Sequence, residues 1–75
     1  MNTNNKSIIL DVSDLEAPYP IMKALDAIQE LKDGEILVFI HRMSPCKLFE
    51  AIERNNLKYT IIKDEENYFE MQIYK

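Results

Sequence analysis

Apolar and polar positions change period several times along this 75-residue chain, and each change marks an element. Ser7 to Val12 alternates, with Ile8, Leu10 and Val12 on one face and Ile9 and Asp11 on the other, which predicts a strand. From Pro20 to about Lys32 the period turns helical, and Ile21, Ala24, Leu25, Ile28 and Leu31 form one stripe. Pro20 suits the first helical position, where a missing N–H costs nothing. Asp33-Gly34 is the expected stop, the glycine taking a left-handed cap. Glu35 to His41 predicts a second strand. Ile36 to Ile40 are all apolar there, as in a strand central in a sheet. Ser44 is the expected N-cap of a second helix, with Pro45 in its first turn and Leu48, Phe49 and Ile52 facing inward. Asn55-Asn56 ends it, because asparagine tolerates the left-handed conformation. Lys58 to Lys63 and Tyr68 to Tyr74 predict a hairpin turned at the acidic segment Asp64 to Asn67. Its second strand alternates Phe69, Met71 and Ile73 against Tyr68, Glu70, Gln72 and Tyr74.

The order is therefore βαβαββ. A right-handed crossover makes the first two strands parallel. Two helices on one face of a mixed four-stranded sheet give an α/β fold of the two-layer α+β sandwich kind. The expected core is Leu10, Ile21, Leu25, Ile28, Val38, Leu48, Ile52 and Ile73. Two helices cover one sheet face only. Two or three side chains of Ile36 to Ile40 must then face away from them, joined by Ile9 and by part of Tyr59 to Ile62, with Tyr68 and Tyr74 nearby. That face is the expected contact for a protein partner or a homodimer.

Residues 1–6 are polar and Asn-rich and are expected to form a disordered tail, with 7–75 as a single domain. A domain this small buries only about 60% of its unfolded surface. The net charge of −4, from 9 Lys and Arg against 13 Asp and Glu, disfavours nucleic acid, which needs clustered cations. The expected chain is cytoplasmic. It shows no charged-then-apolar leader, no apolar run near the roughly 20 residues that span a membrane, and one cysteine, which excludes an internal disulfide.

The strand, the segment Leu15-Glu16-Ala17-Pro18-Tyr19-Pro20 and the following helix together resemble the sulfur carriers of the SirA/TusA-like superfamily. Those carriers place a persulfide-bearing cysteine just before a Pro-x-Pro, and Ala17 occupies that position here. Alanine has no nucleophile or ligand atom. The resemblance is closer to an uncharacterised branch of short domains lacking that cysteine, some fused to hemerythrin-like domains. It rests on Leu10, Asp11, Pro18, Pro20, His41, Arg42, Pro45 and Leu48. The resemblance implies the four-stranded fold read above and a chain without the usual sulfur acceptor.

The segment His41-Arg42-Met43-Ser44-Pro45-Cys46 ends a strand and starts a helix, at the edge where α/β sheets bind ligands. Asp14 and Glu16 belong to the loop at the same edge. Imidazole, guanidinium, hydroxyl and helix N–H groups together suit a small anion or a partner's carboxylate. The candidate site is Asp14, Glu16, Pro18, Pro20, His41, Arg42, Ser44 and Cys46. The plainer expectation is that Arg42 pairs with Asp14 or Glu16 and nothing binds. Cys46 lies near a helix N-terminus with Arg42 and Lys47 close by, surroundings that favour a reactive thiol, although free cysteines are more often buried and inert. One histidine and one cysteine do not make a metal site, Ser44 has no nucleophile-elbow context, and Asp64 to Glu66 lacks a calcium-loop pattern. No cofactor and no catalytic residue are assigned. The reading is a small non-catalytic binding or adaptor domain on a sulfur-carrier-like fold, the alternative being a sulfur or redox carrier that uses Cys46.

Overall fold

A computed structural model of the chain describes residues 6–75. Its elements are β1 (Lys6–Asp11), α1 (Tyr19–Gln29), β2 (Glu35–His41), α2 (Cys46–Arg54), β3 (Lys58–Glu65) and β4 (Tyr68–Tyr74). The sheet order is β1-β2-β4-β3. β1 runs parallel to β2, from Lys6 opposite Glu35 to Asp11 opposite Ile40. β4 is antiparallel to both β2 and β3. Residues 1–5 of the expected tail lie outside the described residues. Lys6 belongs to the sheet instead, its N–H donating to the Gly34 carbonyl at 3.3 Å.

The core lies between the helices and one sheet face. Leu37 and Phe39 of β2 and Phe69, Met71 and Ile73 of β4 are fully buried, packed with Ala24 and Ile28 of α1 and Leu48 and Ile52 of α2. Ile28, Leu48, Ile52 and Ile73 thus sit where the pattern placed them. Leu10, Ile21 and Leu25 are only half-buried, against the margin of this core. Val38 is a correction. It stands opposite Ile9 and Gln72, so it shares the open face with them, while Leu37 and Phe39 face the helices. β2 is apolar on both sides, so its pattern contains no parity.

Boundaries also move, at both helices and at β3, which runs on to Glu65 rather than stopping at Lys63. α1 stops at Gln29, because the N–H groups of Glu30 and Leu31 reach three residues back, to Ala27 at 3.2 Å and Ile28 at 3.3 Å. Gly34, at φ 85°, does not cap that helix. It is the third residue of a turn closed by the Glu35 N–H on the Lys32 carbonyl at 3.0 Å, and its positive φ is what demands glycine. α2 begins at Cys46 behind an extended Pro45, with no side-chain cap, so Ser44 is not the N-cap. Its other end matches expectation. Asn56 is left-handed at φ 59°, and Asn56 and Leu57 N–H groups bond the Glu53 and Ile52 carbonyls at 3.1 and 2.9 Å.

The open face divides in two. Ile9, Ile36, Val38 and Ile40 form an apolar strip on β1 and β2, and Ile9 is 69% exposed. On β3 and β4 the face is polar: the Tyr68 hydroxyl donates to Glu70 at 2.7 Å, Thr60 and Tyr74 hydroxyls share a 3.0 Å bond, and Lys63 lies over the Tyr68 ring. Tyr59 and Ile61 lie opposite Ile73 and Met71, on the helix side. There the Phe49 ring meets Tyr59 at 5.1 Å.

Candidate functional site

β1 and β2 are parallel, so the loops leaving their carboxyl ends meet at one edge of the sheet. The first loop is held by its own chain. The Ser13 N–H donates to Asp11 Oδ1 at 3.0 Å, the Leu15 N–H to the Val12 carbonyl at 3.1 Å, and the Tyr19 N–H to the Glu16 carbonyl at 2.9 Å. The contacts with Ser13 hold the Asp11 carboxyl below its usual range. The Ala17–Pro18 peptide is cis, and Pro20 is buried in the first turn of α1. The second loop leaves β2 at His41, whose ring lies inside the protein, and runs through exposed Arg42, Met43 and Ser44 to the start of α2.

A groove of about 410 Å³ opens between the two loops. The first loop and α1 line it with Leu15, Ala17, Pro18, Pro20 and Ile21. The second loop and α2 line it with His41, Arg42, Met43, Ser44, Pro45, Cys46 and Lys47. Six of the eight candidate residues therefore come together: Pro18, Pro20, His41, Arg42, Ser44 and Cys46. Asp14 and Glu16, the other two, are exposed on the first loop and do not line the groove. Between them the loop turns the main chain of Leu15 toward the second loop: the Arg42 guanidinium donates to the Leu15 carbonyl at 3.2 Å. Leu15, Ile21, Met43 and Lys47 also line the groove and were not among the candidate site residues. Met43 and Lys47 stand inside or beside the His41–Cys46 motif, which was the available signal. Nothing local in the sequence marks Leu15 or Ile21.

His41 is 7% exposed and its Nδ1 has no hydrogen-bond partner. Burial, and then the neighbouring Arg42 charge, push its pKa below the ordinary histidine value. A backbone hydrogen bond with Val12 and the Asp11 charge oppose this less strongly. Its ring meets Phe39 edge-on at 6.0 Å. Cys46 is exposed rather than packed. Among the described residues no group of three or more His, Cys, Asp or Glu is placed to hold a metal ion. No helix among them is long and apolar enough to cross a membrane. A larger depression of about 600 Å³ lies at the far end of the sheet, beneath the end of α1, away from both loops.

The family model for the sulfurtransferase TusA matches residues 8–75. The chain belongs to the TusA family. Neither a curated protein nor a solved structure matches it significantly. The TusA match spans both loops and all six elements, so the groove belongs to the family's sulfur-carrier fold and Ala17 lies on its wall.

Proposed function

We propose that this TusA-family chain is a non-catalytic binding or adaptor domain whose working surface is the groove between the two βα loops. One observation carries the reading. Ala17, which the family resemblance puts in the place of the sulfur-accepting cysteine, lies in the wall of a groove that is mostly carbon. A methyl group there offers contact area and no nucleophile. Residues of both loops line the space, whose volume is in the range of ligand sites. In the closer branch of the resemblance, chains likewise lack the cysteine.

Cys46 supports a second reading, a sulfur carrier with the thiol moved across the groove. It is exposed and lines the same space as Ala17. In that reading the Cys46 thiolate attacks the outer sulfur of a donor persulfide. A new S–S bond forms, the donor's S–S bond breaks, and the donor leaves as its thiolate. A cysteine desulfurase with cysteine, followed by alkylation and intact mass, separates the two. Wild type is expected to gain no sulfur, and Ala17→Cys is expected to gain one atom. Sulfur on wild type that disappears in Cys46→Ser establishes the second reading.

A further inference from the structure

We propose that the free edge of β1 is a docking surface for a second copy of this chain. The two β1 strands pair antiparallel about Ile9 and join their sheets into one continuous sheet. The proposal goes beyond the groove reading and does not depend on it.

The direction of the β1 hydrogen bonds is the first support. The Lys6 N–H donates to the Gly34 carbonyl at 3.3 Å and the Val12 N–H to the Ile40 carbonyl at 2.9 Å. In a parallel ladder the N–H and C=O of one residue point to the same side, and that side alternates along the strand. Lys6, Ile8, Leu10 and Val12 therefore turn theirs to β2. Ser7, Ile9 and Asp11 turn theirs outward, where β1 ends the sheet.

The second support is that this edge is complementary to itself. With Ile9 opposite Ile9 across a two-fold axis, Ser7 of each copy stands opposite Asp11 of the other. These are the residues with outward groups, so each pair exchanges both of its N–H···O bonds. The side chains match as well. A carboxylate accepts several hydrogen bonds, so the Ser7 hydroxyl adds to the Ser13 N–H already on Asp11. Lys6 faces Val12, and no like charges stand opposite each other. Val38 is the neighbour of Ile9 in the sheet, so an apolar row of Val38, Ile9, Ile9 and Val38 crosses the axis on the open face. On the helix side Ile8 of each copy meets Leu10 of the other, and both are half-buried at the margin of the core.

The two edges of the sheet differ, and this is the third support. β1 holds its register from Lys6 to Asp11 with no bulge and no proline, and Ile8, Ile9 and Leu10 run together in it. β3 is bulged between Ile61 and Lys63 and carries charge along its length. Edges that stay unpaired carry such blocks, and β1 has none at its centre. Pairing at β1 consumes that edge in both copies and leaves a blocked β3 at each end, so assembly closes at a dimer.

Sedimentation of the intact chain over a concentration series should show monomer and dimer with no larger species. Hydrogen exchange by NMR then separates edge from face. The amides of Ile9 and Asp11 should exchange at least tenfold more slowly in the dimer, while those of Ile8 and Leu10, bonded to β2, change far less. On a Cys46→Ser background, Ile9→Cys should yield a disulfide-linked dimer under mild oxidation. A hydrogen-bonded antiparallel pair sets its Cα atoms about 5.5 Å apart, within disulfide reach. Val38→Cys, one strand further in, should not cross-link. Ile9→Pro removes an outward N–H that the monomer's own sheet does not use, and should leave a folded monomer. A strict monomer, a dimer whose Ile9 and Asp11 amides exchange at the monomer rate, or protection of those amides that ignores concentration overturns the proposal. So does a dimer that survives Ile9→Pro, or Val38→Cys cross-linking as readily as Ile9→Cys.

Discussion

His41 concentrates the most physical chemistry of any single residue here, and the chain has no other histidine. Its pKa is lowered in the folded protein. Below the unfolded value, about 6.5, the unfolded chain therefore binds more protons than the folded one. Stability from this group is complete above that pH and falls as pH drops from it toward the folded pKa. Asp11 is also lowered, but its contribution is lost only as pH falls below its ordinary value of 3.8. A comparison made above about pH 5 leaves Asp11 ionised in both states. Urea unfolding at pH 7.5 and pH 5.5 should show wild type less stable at the lower pH and His41→Gln with a smaller difference. Equal differences would mean that the ring is not held neutral by its surroundings.

Among the elements, positions along the helix stripes are buried to different depths. Leu48 of α2 is fully buried, whereas Leu25 of α1 is half-buried. Leu48→Ala should cost about 2–5 kcal/mol, the usual range for a filled core position. Leu25→Ala should cost clearly less, because part of its surface is already in water. Denaturation of the two variants checks the order, and a reversed order would place Leu25 deeper than the structure does. The end of α2 makes a second test. Asn56 sits at φ 59°, where a β-branched residue is strained. Asn56→Val should lose about 1–2 kcal/mol, while Asn56→Gly should keep or raise stability. A valine as stable as glycine would show that this cap does not govern the helix end.

The whole molecule is elongated, 40 × 22 × 17 Å, and β3, at one edge of the sheet, is made of exposed residues throughout. A bulge between Ile61 and Lys63 breaks its register, and charged Lys58, Lys63, Asp64 and Glu65 punctuate it. Both features discourage pairing at this edge. At the opposite edge the charges are confined to the ends of β1, at Lys6 and Asp11, and Ile9 between them is the most exposed large apolar residue described. The prediction of self-association therefore falls on the Ile9–Val38 strip rather than on the whole open face. Sedimentation should show association rising with concentration in wild type and absent in Val38→Lys, with the fold intact in both. A wild type that stays monomeric at high concentration would overturn it.

Local chemistry made the element order, the left-handed Asn56 and the inward set of β4 legible in the sequence. Caps are bonds between near neighbours, and a strand polar on one face carries its own parity. The loop edge and the His41–Cys46 segment were legible for a related reason: parallel strands with short crossovers bring successive βα loops together. Tertiary structure alone decided the rest. It chose the face of Val38, because an all-apolar strand has no parity until neighbours pair with it. It left Cys46 in solvent. It also built the groove from chain segments far apart, joined by an Arg42–Leu15 bond that spans 27 residues. In doing so it turned a main-chain carbonyl, rather than the flanking Asp14 and Glu16 carboxylates, toward the guanidinium. No local pattern encodes that orientation, because it depends on how the first loop packs against the second.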